Sequence, residues 1–502
     1  MKKLNLLLLI TTTITILCGC NNQLDKTLID KDYDGLHDEI DPNPESNEYR
    51  AKFKKSDGYT YTREISLKMD YRDYLPSSEP KKDLVRIASI FSLDSYEHYG
   101  ATIITDYPYS SEDSEVFNLF GQFGLTNAKY VESSATVDSL DVCGLYLANH
   151  KFIVDNHKYQ LFAFVVKGYV DSTGWASNFD LGADCENETA IFGEHPDWIN
   201  KKNHKGFEVT GNRAFQLVED YINEYKADGF ETVLFGTGHS RGAAITNIVG
   251  KNIIDKYPDV KSSFYCFNPP LTTTESDDVK DSYEHIFNFI CEQDLVSLVP
   301  IPNWGFDVYG QKYYFSHLNH LDNYEYIFKE PYDPLPEGFN DLAVDMLYSL
   351  GDTREKLYEF GKITGDGDVF EFETETEALA KKEELESCID DEKARKCYLV
   401  SVIYPKDEED LYIVQIKLMP CIIVRIATIF ISAYAKGGAD AGDILDQLIG
   451  LAPLLGRYIF PFINKYVEAG FDLTTAMTLP NKMKYTHGPL ATVISCLFYE
   501  SK

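Results

Sequence analysis

The sequence is poor in positive charge. Lys and Arg total 47 against 80 Asp and Glu, a formal net charge of −33. A surface of that sign repels phosphates, which argues against a nucleic-acid partner and reads as a device for solubility. Paired cysteine motifs are missing too. Ten cysteines are present and none forms a Cys-x-x-Cys pair, so the spacing of a structural zinc site has no support. Two of them, Cys18 and Cys20, lie at the end of the N-terminal signal region. The other eight, Cys143, Cys185, Cys266, Cys291, Cys388, Cys397, Cys421 and Cys496, are scattered. Cys388 and Cys397 form one candidate disulfide, and most of the rest are expected to be free and buried. Nor is there an apolar run as long as the roughly 20 residues that cross a bilayer. The run Cys421–Ala435 is fifteen residues long and is interrupted by Arg425.

What the chain does have is core-forming material. Hydrophobic residues make up 44%, with 35 Tyr and 30 Phe, which excludes a disordered tail. A length of 502 residues predicts one large domain with an insertion, or two domains.

The first nineteen residues read as a leader: Lys2 and Lys3, then apolar residues from Leu4 to Leu17. The end of that run, Leu17-Cys18-Gly19-Cys20, resembles the bacterial lipobox. The resemblance implies that Cys20 is lipidated on sulfur and becomes the mature N-terminus. The protein would then be an exported bacterial lipoprotein on the outer face of the cell membrane, held by its lipid and not by a spanning helix.

Residues 20–50 are expected to form an acidic tether. Within "DKDYDGLHDEIDPNP", Asp30, Asp32, Asp34, Asp38 and Asp41 occupy positions 1, 3, 5, 9 and 12 of a loop with Gly35 at position 6. Alternate carboxylates face one centre and the glycine permits the sharp turn, a pattern for calcium. Asp instead of Glu at position 12, with Pro42 and Pro44 following, makes it resemble the calcium loops of thrombospondin type-3 repeats more than an EF-hand. From Tyr49 to about Pro80 the chain is polar and reads as the entry to the main domain.

Downstream, helical and strand patterns alternate. "DLVRIASIFSL", "SEVFNLFGQFGL", "TGNRAFQLVEDYINEYKADGF" and "RGAAITNIVGKNIIDKY" have helical periodicity, with Gly229 a stop signal in the third. "YQLFAFVVKG", "ETVLFGTG", "SSFYCFNPP" and "HIFNFICEQD" read as buried strands. The expected class is α/β, with a mainly parallel central sheet covered on both faces.

At the junction of the strand "TVLFG" and the helix "RGAAITNIVG" stands Gly238-His239-Ser240-Arg241-Gly242. A serine between two glycines at a strand-to-helix turn is the pattern of a nucleophile elbow. The glycines remove Cβ atoms that would clash, Ala243 and Ala244 extend the small surface, and the helix N-terminus aims its N–H groups at a developing oxyanion.

"GTGHSRGAA" resembles the active-site turn of the class 3, fungal-type lipases of the α/β-hydrolase fold. "FAFVVKGYVDSTGWASNFDLG", "HKGFEV" and "CEQDLVSLVPIPNWGF" resemble further segments of that family in the same order, so the resemblance covers roughly residues 80–320. It implies a Ser-Asp-His triad in that chain order. Asp294, after the strand "IFNFICEQ", is the expected acid; Asp277 and Asp278 lie in a polar loop and read as solvated. Three histidines follow Asp294: His317, His320 and His487. The family carries its base in a loop near the C-terminal end of the domain, often before a helix and with a proline two residues on. "THGPLATVISCLF" matches that, and the resemblance therefore points to His487, with His317 and His320 as the alternative base. An acid–base gap of 193 residues is unusual for the family and requires an insertion. The oxyanion donors implied are the N–H of Arg241 and one near Tyr169, where the family commonly has Ser or Thr; Lys167 stands where Arg is common.

The expected organisation is a leader over 1–19, the tether over 20–50, an α/β-hydrolase core over 51–335, a helical insertion or cap over 336–470, and a C-terminal segment over 471–502 that completes the core. "GDGD" at 365–368 has too few ligands for a second calcium loop. The leading functional expectation is a lipase or esterase acting on lipid or other esters, needing no metal for its chemistry, with calcium at the N-terminal loop. The alternatives are an amidase or peptidase using the same triad, and an inactive surface-displayed interaction protein.

Overall fold

The structure is a computed structural model. It describes residues 30–35, 37–38, 45–55, 65–96, 101–105, 114–134, 142–168, 203–275, 277–300, 306–317, 369–387, 398–403, 412–418 and 486–497. A small antiparallel sheet comes first, with strands β1 (Glu48–Lys55), β2 (Ile65–Lys68) and β3 (Ala101–Thr105) in the order β2-β1-β3. The central sheet contains β4 (Thr126–Ser134), β5 (Val142–Val154), β6 (His157–Val166), β7 (Glu231–His239), β8 (Lys261–Phe267), β9 (Ile286–Cys291) and β10 (Gln311–Phe315). Their order across the sheet is β10-β9-β8-β7-β6-β5-β4. From β6 to β10 every neighbouring pair is parallel; β4 and β5 extend the sheet as an antiparallel edge.

Side-chain alternation explains how this sheet is covered on both sides. On β6, Leu161, Ala163 and Val165 enter one core, and Phe162, Phe164 and Val166 enter the other. On β8, Tyr265 and Phe267 face the first core while Phe264 and Cys266 face the second. The first core is closed by helices α1 (Lys82–Asp94) and α2 (Glu115–Gln122), and by the distant α6 (Pro489–Leu497), which packs against α1. The second is closed by α3 (Lys205–Tyr225) and α4 (Arg241–Lys256). A mainly parallel sheet between helical layers, with the sharp Ser240 turn joining β7 to α4, is the α/β-hydrolase arrangement.

Helix α3 differs from its sequence reading at both ends. It begins at Lys205 because His204 caps it: the ring accepts the N–H of Phe207 at 3.4 Å and stacks on that residue's ring. It stops at Tyr225, before Gly229, because the buried Gln160 of β6 takes over its backbone groups. Gln160 donates to the Tyr225 carbonyl at 2.9 Å and accepts from the Ala227 N–H at 2.8 Å.

Four residues of the stretch read as a polar entry belong to the first core. Leu67, Met69, Tyr71 and Tyr74 have no exposed surface. The acidic loop before it is docked as well. The Tyr71 N–H donates to the Tyr33 carbonyl at 2.7 Å, and the Arg72 guanidinium lies over the Tyr33 ring. The described part of the insertion is not only helical. It contains α5 (Glu375–Ser387) and an antiparallel sheet of β11 (Val369–Phe372), β12 (Tyr398–Ile403) and β13 (Tyr412–Leu418), ordered β11-β13-β12. The apolar run at 421–435 lies outside the described residues, as does the leader. Among the described residues no helix is long and apolar enough to cross a membrane. Cys143, Cys266, Cys291 and Cys496 are free and buried, as expected; Cys185, Cys388, Cys397 and Cys421 are outside the described residues.

One half-buried histidine packs against the first core. His150 donates from Nδ1 to the Gly124 carbonyl at 2.8 Å and lies 4.2 Å from the Tyr71 ring. Burial, opposed in part by that hydrogen bond, pushes its pKa down from 6.5 to about 4. Between those values the unfolded chain binds the extra proton. The His150 contribution is therefore complete above about 6.5 and is lost as pH falls towards 4, by at most about 1.4 kcal/mol per pH unit. Asp73, pushed up to about 6 mainly by burial, works in the opposite direction. The expected result is thus differential: in urea unfolding between pH 7 and 4.5, His150→Gln shows a flatter loss of stability with acid than wild type. Identical slopes would show that His150 does not drive it.

Candidate active site

Ser240 occupies the tip of the turn between β7 and α4 with φ 57° and ψ −127°. Side chains other than glycine seldom adopt that conformation, which costs on the order of 1–3 kcal/mol and is held only where the surroundings fix it. Here the Ser240 N–H donates to the Phe267 carbonyl on β8 at 2.9 Å. Its carbonyl accepts from the N–H groups of Ala243 at 2.9 Å and Ala244 at 3.0 Å. The flanking glycines are needed for contact. A Cβ on Gly238 would stand 2.5 Å from the Gly242 backbone, and one on Gly242 would stand 2.5 Å from the Val166 carbonyl. Both distances are impossible for a methyl group, so only glycine lets α4 lie this close to the ends of β6 and β7.

Asp294 follows β9 and is buried. Its Oδ1 accepts the Val296 N–H at 2.9 Å, and its Oδ2 accepts from the Ser297 hydroxyl at 3.3 Å. The same Oδ2 lies 2.6 Å from Nδ1 of His487, whose Nε2 lies 2.7 Å from Oγ of Ser240. The tautomer follows from the partners. The carboxylate can only accept, so Nδ1 carries the proton and Nε2 accepts from the serine hydroxyl. Ser240, His487 and Asp294 thus form one continuous hydrogen-bonded chain across 247 residues of sequence.

The two alternative bases fare differently. His317 is fully buried, with its ring turned away to Ser495 and the Thr486 carbonyl; His320 lies outside the described residues. Arg241 opens the sixteen-residue helix α4, so its backbone N–H sits at the positive end of the helix dipole beside Ser240. Its side chain is buried and donates to the Thr210 hydroxyl at 3.1 Å. Tyr169, the other oxyanion residue expected, is outside the described residues. Gly168 just before it is described, and Lys167 donates its N–H to the Gly144 carbonyl.

Sequence reasoning missed the residues behind the three. Tyr96 places its hydroxyl 2.7 Å from Nδ1 of His239, the histidine inside the elbow. Burial, then the neighbouring His487, push the His239 pKa well below its ordinary value, so this ring is neutral. It lies 5.0 Å from the His487 ring as an uncharged neighbour. Asn268, at the end of β8, also lacked a motif. It takes φ 48°, accepts the Cys291 N–H and donates to the Thr492 hydroxyl on α6. The available signal was its residue type, since Asn tolerates positive φ better than most.

In the N-terminal loop, Asp30, Asp32 and Asp34 each offer a carboxylate oxygen within 4.8 Å of the others. Asp34 is buried, and one oxygen of Asp32 is buried without a hydrogen-bond partner. Burial first, then the neighbouring carboxylates, push the Asp30 pKa up to about 7. Such a set has the chemistry of a hard-cation site. Asp38 is turned elsewhere: it accepts the Lys31 N–H and pairs with the Lys31 ammonium at 3.1 Å. Asp41 and Cys20 lie outside the described residues.

No protein-family profile matches the chain, and no curated protein matches it. Among solved structures, the native propeptide complex of Rhizomucor miehei lipase is similar at 15% identity. The match covers 50% of this chain and 73% of that one with a TM-score of 0.30. Rhizomucor miehei triacylglyceride lipase is similar at 17% identity, covering 46% and 79%, with a TM-score of 0.29. Lipase II from Rhizopus niveus is similar at 14% identity, covering 47% and 80%, with a TM-score of 0.28.

Proposed function

We propose that this protein is an extracytoplasmic serine hydrolase that cleaves carboxylic esters, lipid esters among them, with Ser240 as nucleophile, His487 as base and Asp294 as the orienting acid. The observation that carries the reading is the unbroken chain of 2.7 Å and 2.6 Å contacts from the strained serine through His487 to the buried Asp294.

The chemistry follows from the tautomer. Nε2 of His487 accepts the Ser240 proton as Oγ attacks the ester carbonyl. The imidazolium that forms is stabilised by Asp294 through Nδ1–H, while Val296 and Ser297 hold the carboxylate in place. Negative charge grows on the substrate oxygen, where the Arg241 N–H and a donor at Tyr169 would receive it; one such donor is worth about 3 kcal/mol. Nε2–H then protonates the departing alcohol, and water, deprotonated by the same nitrogen, releases the acid. No metal takes part in these steps.

Two further proposals concern location. Cys20 carries the lipid that holds the protein at the outer face of the membrane, and Asp30, Asp32 and Asp34 hold a calcium ion. Because that loop is docked on Tyr71 and Arg72, bound calcium would stabilise the hydrolase domain.

Three measurements check these readings. Hydrolysis of p-nitrophenyl esters from acetate to palmitate should be lost in Ser240→Ala and His487→Ala by roughly 10⁴-fold or more. Rising rates towards long chains would identify a lipase. A wild type inert on all esters yet cleaving anilides would move the assignment to the amidases. Adding calcium to chelator-treated protein should raise its melting temperature by a few degrees, and Asp30→Asn should abolish the shift; no shift in wild type removes the calcium site. In membrane fractionation, Cys20→Ser should release the protein from the membrane pellet, whereas retention would rule out the anchor.

A further inference from the structure

The proposed base stands 193 residues after its acid, and the insertion between them cannot fix their separation by chain connectivity. Something else must hold the loop of His487 against the loop of Asp294. Two hydrogen bonds made by His487 itself do part of this. They are also the bonds that must strengthen and shift during catalysis, so they are poor anchors on their own.

A second connection runs parallel to the first, displaced by one residue at each end. Gln293, immediately before the acid, turns its side chain towards the strand that follows. Its Oε1 accepts the His317 N–H at 3.2 Å and the Ser316 hydroxyl at 3.2 Å. The Glu292 N–H adds a bond to the Phe315 carbonyl at 2.9 Å. His317 then spans to the C-terminal segment. Its Nε2 is 3.0 Å from the carbonyl of Thr486, the residue immediately before the base, and its Nδ1 is 2.7 Å from the Ser495 hydroxyl. A carbonyl only accepts, so Nε2 carries the proton, Nδ1 accepts from Ser495, and both ring nitrogens are engaged.

We infer that Gln293 and His317 are positioning residues: they form a brace that sets the distance between the acid and base loops, so that His487 reaches Asp294 and Ser240 together. This rests on the ester-hydrolase reading for its kinetic consequence, but not for its geometry. The His317 half of the brace is buried, and its two ring bonds are shielded from competing water, whereas Gln293 is half-buried. It also explains why the first histidine after the acid strand is present without being the base: it holds the backbone on which the base rides.

The test uses the full-length protein and three variants, His317→Ala, His317→Gln and Gln293→Ala. Each is measured for kcat and KM on p-nitrophenyl butyrate, for thermal melting, and for the downfield proton resonance of the His487–Asp294 hydrogen bond. That resonance needs no turnover. In His317→Ala, kcat should fall roughly 10- to 100-fold with KM little changed, because displacing a base by about 1 Å costs that much. The downfield resonance should be lost well below the melting temperature. His317→Gln, whose amide still reaches the Thr486 carbonyl, should recover most of kcat. A folded His317→Ala with wild-type kcat and an intact resonance would overturn the brace. If His317→Ala does not fold, Gln293→Ala decides: a lowered kcat with an intact melting transition supports the brace, and an unchanged kcat overturns it. If wild type hydrolyses nothing, the resonance alone decides. Its presence in wild type and loss in His317→Ala would uphold the brace while the ester reading falls.

Discussion

Everything at the site depends on how closely α4 approaches the ends of β6 and β7. Gly242 faces the Val166 carbonyl and Gly238 faces the Gly242 backbone, each at a separation that a methyl group would fill. That approach puts Ser240 in its positive-φ conformation, and it sets the first N–H groups of α4 beside it. The strain is balanced by three backbone hydrogen bonds, one of which reaches across to β8. The parallel pairing of β7 with β8 and of β8 with β9 then brings the ends of neighbouring strands to one edge. Asp294 follows one of them within hydrogen-bonding reach of whatever stands over Ser240.

Much of this was readable in the sequence, for a physical reason. The elbow is a local object, and its glycines, its alanines and the change from strand to helix lie within sixteen residues. The buried parallel strands were visible as dense apolar runs. The supporting residues were not visible, because their meaning is set by partners far away. Gln160 ends a helix sixty-five residues later in the chain, and nothing around it announces a cap. Gln293 and Asn268 are ordinary loop residues until their side chains meet backbone groups from other elements. Strands β1 and β2 were hidden by their charged composition, and the core positions Met69, Tyr71 and Tyr74 were hidden by the polar residues around them.

The acidic loop shows how a pattern can foretell a cluster of side chains and stay silent about its placement. The alternation of Asp30, Asp32 and Asp34 around Gly35 foretells converging carboxylates, and they do converge. It does not foretell that Gly35 lies flat against the Tyr71 ring, where any side chain would collide with it. Asp38 shows the limit of counting, since a nearby lysine draws it away from the centre that its position number implies.

Helix α6 has a consequence in time. It supplies Leu490, Val493, Ile494 and Leu497 to the core of α1, and it follows His487 directly. A chain made only as far as β10 contains Ser240 and Asp294 but not the residue that bridges them. Under the reading proposed here, catalytic competence arrives only when residues beyond 487 emerge and dock, in the same step that closes the hydrophobic layer. On that reading a chain would stay inactive until α6 docks, and the appearance of activity would mark the completion of folding.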